Sequence, residues 1–258
     1  MHPLRLFLTA IQFFTRLPVP GWVGHSAGQL EQAARYLPLV GSVVGALAAA
    51  VLWMMAQVLP LPLAVVLSII AGILITGAFH EDGLADFADG FGGGHTPEKV
   101  LAIMKDSRTG AYGVIALVLV LLVKFEALLA LCEMHALPAV AAALIAAHAV
   151  SRLLAVSLMR TQRYVRTDDS ARAKPAAQSM DTSGFIIALL GAAITLPLLP
   201  LSGIPPANVA AALLAALLMR AWLAWRIQRR LGGYTGDCLG AVQQLSEVAF
   251  YLGLLATL

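Results

Sequence analysis

The sequence predicts an all-α protein, a polytopic transmembrane helix bundle of about seven spans with its active site on the cytoplasmic side. Three observations predict it. Of the 258 residues, 60% are hydrophobic and only 12% are charged, whereas an average globular chain is about 25% charged. The mean hydropathy is +0.84, so much of the surface must face something other than water. Long uncharged stretches alternate with short charged ones, the pattern of membrane helices joined by polar loops. The loops are too short to fold alone, so residues 1–258 read as a single domain.

The N-terminus carries Arg5 and an apolar run from Leu6 to Phe14, followed by Thr15-Arg16-Leu17-Pro18. It lacks a small-residue cleavage site and reads as an interfacial or buried helix rather than a removed signal peptide. No charge falls between Arg35 and His80, and Pro60 and Pro62 divide that stretch into spans near 37–58 and 62–79. The first holds Gly41-x-x-x-Gly45, a spacing that lets helices approach closely. A polar segment, 80–109, follows. Further spans are expected near 110–132, 137–158, 184–200, 207–225 and 239–257, with a basic loop at 159–183.

Charge distribution orients the bundle. None of the 17 Lys and Arg residues falls in the connections near 59–62, 133–136 and 201–206, whereas the N-terminus and the alternate loops are rich in them. The positive-inside rule makes the rich side cytoplasmic, with the lipid bilayer as a partner. The net charge of +3 does not indicate nucleic acid, because the cations flank apolar spans and form no aromatic-laced patch. Cys132 and Cys238 have no metal-binding spacing and suggest no disulfide framework.

The segment His80-Glu81-Asp82-Gly83-Leu84-Ala85-Asp86-Phe87-Ala88-Asp89-Gly90 carries the chemistry. Asp82, Asp86 and Asp89 recur at i, i+4 and i+7, which puts them within an arc of about 60° on a helix. Three carboxylates so close repel one another unless a cation lies between them, and a membrane edge raises the cost. Mg²⁺ combines a few carboxylates with substrate phosphates, so these three residues are the expected metal ligands. The competing reading is a solvated acidic face. Glu81 falls off the Asp face. The glycines at 90 and 92–94 match no nucleotide-binding fingerprint.

Lys105 and Arg108 stand just before a span and are expected to contact a diphosphate, Arg through its planar fork and Lys as a point charge. Membrane anchoring is the plainer use of such cations. Asp106 either ligates metal or orients Lys105, and Ser107 or Thr109 is expected to cap the next helix. Asp237 stands where the last span begins, a position that favours an anion even in a purely structural role. Glu247, inside an otherwise apolar helix, needs a partner, and Arg152 is the expected one. Lys124 and Glu126 lie on different faces of one helix, so each pairs elsewhere. His148 reads as an intrahelical hydrogen-bonded histidine.

These residues, in this order, resemble the cobalamin synthase family, the adenosylcobinamide-GDP ribazoletransferases. Phe14-Thr15-Arg16-Leu17-Pro18-Val19-Pro20 is similar to the family's opening motif, and Pro38-Leu39-Val40-Gly41 to its first membrane segment. His80 to Gly90 resembles its H-x-D-G-x-A-D-x-x-D-G signature, and Met104 to Gly113 its M-[KR]-D-S-R-x-G-x-x-G element. Ser151-Arg152 and Gly233 to Gly240 resemble later motifs. Glu81 departs from the apolar residue expected there.

The resemblance implies an Mg²⁺-dependent enzyme. It would join adenosylcobinamide-GDP to α-ribazole or its 5′-phosphate, giving adenosylcobalamin or its phosphate and GMP. Asp82, Asp86 and Asp89 would hold the metal, and one of them or His80 would accept the hydroxyl proton. Lys105, Arg108 and Asp106 would contact substrate, and Arg152, Asp237 and Glu247 would wall the site. The oligomeric state stays open, a homo-oligomer included. Two other classes compete: another Mg²⁺-dependent membrane transferase acting on prenyl diphosphates or CDP-alcohols, and a small cation transporter. The first would want a second Asp-rich motif, or an Ala-Arg pair where Asp86-Phe87 stands. The second would want a denser polar path than Lys124, Glu126, His148 and Glu247.

Overall fold

A computed structural model describes residues 2–24, 26–165 and 180–256. The basic positions Arg166, Arg172 and Lys174 of the expected 159–183 loop lie outside them. Among the described residues there is no strand, only one isolated bridge between Tyr164 and Tyr234. The helices in chain order are α1 (Pro3–Phe14), α2 (Ala27–Ala33), α3 (Leu37–Met55), α4 (Leu61–Thr76), α5 (Phe79–Gly93) and α6 (Pro97–Lys105). They continue as α7 (Ala111–Met134), α8 (Leu137–Thr161), α9 (Thr182–Ala193), α10 (Leu198–Leu201), α11 (Pro206–Leu231) and α12 (Gly236–Leu254).

Proline sets where several of the apolar helices begin. Pro62, Pro138 and Pro206 occupy the first turns of α4, α8 and α11, where the missing N–H has no intrahelical partner to lose. Side-chain caps start other helices. The Asp181 carboxylate accepts from the Gly184 N–H at 2.9 Å, and the Thr235 hydroxyl accepts from the Cys238 N–H at 3.4 Å.

α8 forms the centre of the bundle: 83% of its apolar window is buried, against 22% for α7 and for α11. The outer helices leave large side chains such as Leu119, Leu122, Leu217 and Leu218 exposed, as lipid-facing surfaces require. α3 packs against α8 through the expected glycines. A Cβ on Gly41 would collide with the His148 carbonyl, and one on Gly45 would lie 2.7 Å from the Leu144 carbonyl oxygen. Backbone-to-backbone approach of this kind is how membrane helices gain packing energy without a hydrophobic drive between them. Gly45→Leu is therefore expected to push α3 off α8 and lower the melting temperature of the detergent-solubilised protein by several degrees. Gly28→Leu, at a position with open space around it, is the control and should melt as the parent does.

The sequence leads to about seven spans, and the helices of the structure meet the length and apolarity of a span in fewer cases. Among the described residues, five helical segments are long and apolar enough to cross a membrane, or six if α4 and α5 form one broken span. Two features explain the difference. The hydropathy signal near 62–79 does not end in a loop but runs on into α5 across a bend of 89°. Gly77 and Ala78 make this bend with φ of 65° and 59°, and the side chain of Arg16 fills the space beside Gly77. The Arg16 N–H also donates to the Ile75 carbonyl at 2.7 Å, tying the N-terminal segment to the joint. The helix expected at 239–257 is α12, which is nearly all buried but holds Gln243, Gln244, Ser246 and Glu247 and so lacks a lipid-facing composition.

Candidate active site

α5 is one continuous helix, so Asp82, Asp86 and Asp89 do share a face, but their surroundings differ steeply along it. Asp82 is exposed, Asp86 half-buried and Asp89 buried. One Asp89 oxygen accepts from the Gly110 N–H at 2.6 Å and the other from the Gly113 N–H at 2.9 Å. Gly110 is the N-cap of α7 and offers no side chain, so the cap expected from Ser107 or Thr109 comes from α5 instead. Asp89 thus clamps α5 to α7, a structural task that its sequence spacing does not reveal. Among the described residues no group of three His, Cys, Asp or Glu side chains is gathered closely enough to hold a metal ion.

The third expected segment meets α5 directly. Gly83 and Gly240 cross with their backbones in contact: a Cβ on Gly83 would lie 3.2 Å from Asp237 Cα and 3.3 Å from Gly240 Cα. This brings Asp237, half-buried in the first turn of α12, beside the Asp82–Asp86 stretch. Asp237 does not cap its helix; Thr235 does, and its hydroxyl also bonds Asp237 Oδ2 at 3.3 Å.

The 105–108 segment follows α5 and α6. Arg108 is 87% exposed and chelates Asp106, with Nη2 to Oδ2 at 2.6 Å and Nε to Oδ1 at 3.0 Å. The hydrogen bonds from the Arg108 side chain and backbone hold the Asp106 carboxyl down at about 2. Asp106 therefore orients Arg108, a partner that neither of its two expected roles, metal ligation or the orientation of Lys105, had named. Lys105 is exposed at the end of α6.

Arg152 and Glu247 form no wall of the acidic face. Both are fully buried in the bundle, and they do not pair with each other as expected. Glu247 takes Lys124 of α7 at 2.6 Å, with Gln243 at 2.6 Å, the Tyr251 hydroxyl at 3.2 Å and His148 at 3.5 Å around the same carboxylate. Arg152 folds back on its own helix, Nη1 donating to the His148 carbonyl at 2.9 Å and lying 3.0 Å from His148 Nδ1. The intrahelical reading of His148 holds. Gln243 also reaches Ser151 at 3.0 Å, and Gln244 donates to Glu81 Oε1 at 2.9 Å. Glu81 accordingly points inward, off the Asp face, and anchors the back of α5 to α12. The two glutamines are the residues that sequence reasoning passed over. Their signal was the presence of two amides in a helix with no water-facing side. Glu126 lies exposed on the outside of α7.

His80 sits at the start of α5, 4% exposed, with Nδ1 lacking a hydrogen-bond partner. It is on the inner side of the helix, between the polar network and an apolar slot, and not on the exposed face with Asp82.

Fold and site together define a multi-pass α-helical membrane protein that holds a row of carboxylates on a helix bent across the end of its bundle. The chain belongs to the cobalamin-5-phosphate synthase family, whose family model matches residues 6–255. It is 46% identical over 257 residues to a protein of Shewanella frigidimarina, covering 99% of this chain and 96% of that one. It is 48% identical over 256 residues to one of Leptothrix cholodnii, covering 99% and 97%. Both relatives are named adenosylcobinamide-GDP ribazoletransferase. No solved structure matches the chain.

Proposed function

We propose that the chain transfers the cobinamide phosphoryl group of adenosylcobinamide-GDP to α-ribazole or its 5′-phosphate, releasing GMP, with Mg²⁺ as cofactor. The observation that carries this reading is the union of full-length family membership with an acidic face, Asp82 and Asp86, at the glycine crossing of α5 and α12. A ribose hydroxyl attacks the corrin-linked phosphorus. The new P–O ester bond forms as the anhydride P–O bond breaks, and GMP leaves with the bonding electron pair. Asp82, the exposed carboxylate, takes the hydroxyl proton. Arg108, held in a defined pose by Asp106, and Lys105 bind the diphosphate oxygens. Asp237 completes the acidic wall opposite Asp82.

The donor set fits Mg²⁺ in one way. Asp89 is committed to backbone N–H groups, which leaves Asp82 and Asp86 as the principal carboxylates, and this ion habitually combines one or two carboxylates with substrate phosphates and water. When bound it would neutralise charge on the diphosphate. The face lies on the cytoplasmic side of a bacterial inner membrane, because the Lys- and Arg-rich loops share that side.

Purified protein given adenosylcobinamide-GDP and α-ribazole with Mg²⁺ is expected to release GMP only when both substrates are present, and chelation of the metal should stop it. Turnover of a prenyl diphosphate or a CDP-alcohol, with no GMP from the expected pair, would overturn the proposal.

A further inference from the structure

α11 has 26 residues, so at 1.5 Å per residue it is about 39 Å long, longer than a hydrocarbon core of about 30 Å. The stretch from Pro206 to Trp225 is enough to cross, and Arg226 to Leu231 then projects beyond. The outward face changes character in the same order. Leu214, Leu217 and Leu218 are exposed, then Trp222 and Trp225, then Arg226 and Arg229. At about 100° per residue, Leu214, Leu218, Trp222, Trp225 and Arg229 fall within an arc of about 80°. Apolar, aromatic and cationic side chains thus form one continuous strip. Arg220 stays out of it, its guanidinium turned inward to the Ser157 and Thr161 hydroxyls at 2.8 Å each.

At the cationic end of the strip lies an open hollow of about 380 Å³, where about 10–15 Å³ already admits a water. Trp225, Arg226, Arg229 and Arg230 of α11 line it with Phe91 of α5, and no carboxylate does. Among the described residues none of the three arginines is ion-paired. Two of them are held in place without spending their donors. Arg226 lies over the Trp222 ring, its guanidinium carbon 5.5 Å from the centroid, and Arg229 over Trp225 at 5.4 Å. Stacking engages the face of the guanidinium and leaves its in-plane N–H edge for an oxyanion. Arg230 is fixed differently, Nη2 donating to the Gly94 carbonyl at 2.6 Å where α5 ends.

Three guanidiniums with no carboxylate among them call for an anion, and the strip that leads to them selects its kind. A phosphodiester offers two oxygens to the free N–H edges, and its acyl chains continue along the strip over Trp222, Leu218 and Leu214. Choline or ethanolamine on that phosphate would add a fourth cation to three, so a headgroup of net negative charge is favoured. A soluble anion or an acidic protein would use the arginines and gain nothing from the leucines. We infer that this hollow binds one anionic phospholipid, of the phosphatidylglycerol class, through its phosphate on Arg226, Arg229 and Arg230. The lipid then pins the end of α5 to the leaflet, because Phe91 and the Arg230–Gly94 bond join that end to the same hollow. The site is independent of the transfer reaction, and none of its residues belongs to the acidic face.

The test mixes purified protein in detergent with equal amounts of phosphatidylglycerol and phosphatidylcholine of the same acyl chains, and counts the retained lipids by native mass spectrometry. Wild type should keep one phosphatidylglycerol with a preference of about tenfold or more, and neither GMP nor inorganic phosphate should displace it. Arg226→Gln combined with Arg229→Gln should bind the two lipids about equally. Arg229→Gln alone should lose about fivefold of the preference, and it decides the matter if the double variant is not recovered folded. Arg226→Lys combined with Arg229→Lys keeps the charges and should keep most of the preference. Equal retention of the two lipids by wild type overturns the site, as does an undiminished preference in the glutamine variants. Displacement of the lipid by GMP or phosphate would make the hollow a site for a soluble anion and would overturn it too.

Discussion

Asp86→Asn should lose GMP release by about 10²-fold or more while still inserting into the membrane, because it removes a charge from the proposed reacting face and puts an amide of the same shape in its place. Asp89→Asn should behave differently. An amide there presents N–H to the Gly110 or Gly113 N–H, so a buried donor goes unsatisfied at a cost of about 1–3 kcal/mol. Its melting temperature should fall together with its activity. Thermal unfolding by scanning fluorimetry, run beside a GMP-release assay, separates the two. Wild-type turnover in Asp86→Asn would remove the carboxylate from the mechanism, and an unchanged melting point in Asp89→Asn would remove the clamp.

The second large effect is expected in the bundle interior. Lys124 and Glu247 are an ion pair at 2.6 Å with side chains only 6% and 0% exposed. Either Lys124→Met or Glu247→Gln alone strands the remaining charge and should destabilise by about 3–5 kcal/mol. The double substitution removes both charges, while the amide introduced in place of the Glu247 carboxylate can still bond Gln243 and Tyr251. It should therefore cost less than either single change. Unfolding in mixed micelles measures the three variants. Additive losses would mean that the pair contributes nothing beyond its separate members.

Much of this was legible in the sequence because it depends on local composition. Long apolar runs gave the membrane helices, Gly41 and Gly45 gave a close helix approach though not its partner α8, and the i, i+4, i+7 spacing gave a shared carboxylate face. What escaped depends on contacts between distant segments. Asp89 is bonded to groups 21 and 24 residues away, and nothing in its spacing distinguishes it from Asp86. Arg152 and Lys124 are both isolated cations in apolar helices, and only the packing of α7 against α12 decides which of them meets Glu247. The span count differs from the helices that meet the same criteria because hydropathy measures apolarity and not direction. A run that turns through 89° scores like a straight one, and a helix shielded from lipid by its neighbours can carry amides that a lipid-facing one cannot.

That turn has a consequence for how reactants arrive. If α4 runs along the bilayer normal, α5 runs parallel to the membrane plane, so Asp82 and Asp86 sit at nearly the same depth. An amphiphilic reactant skating along the headgroup boundary would then meet them broadside in two-dimensional diffusion, and a reactant adrift in the aqueous phase would have to find the same ledge from three.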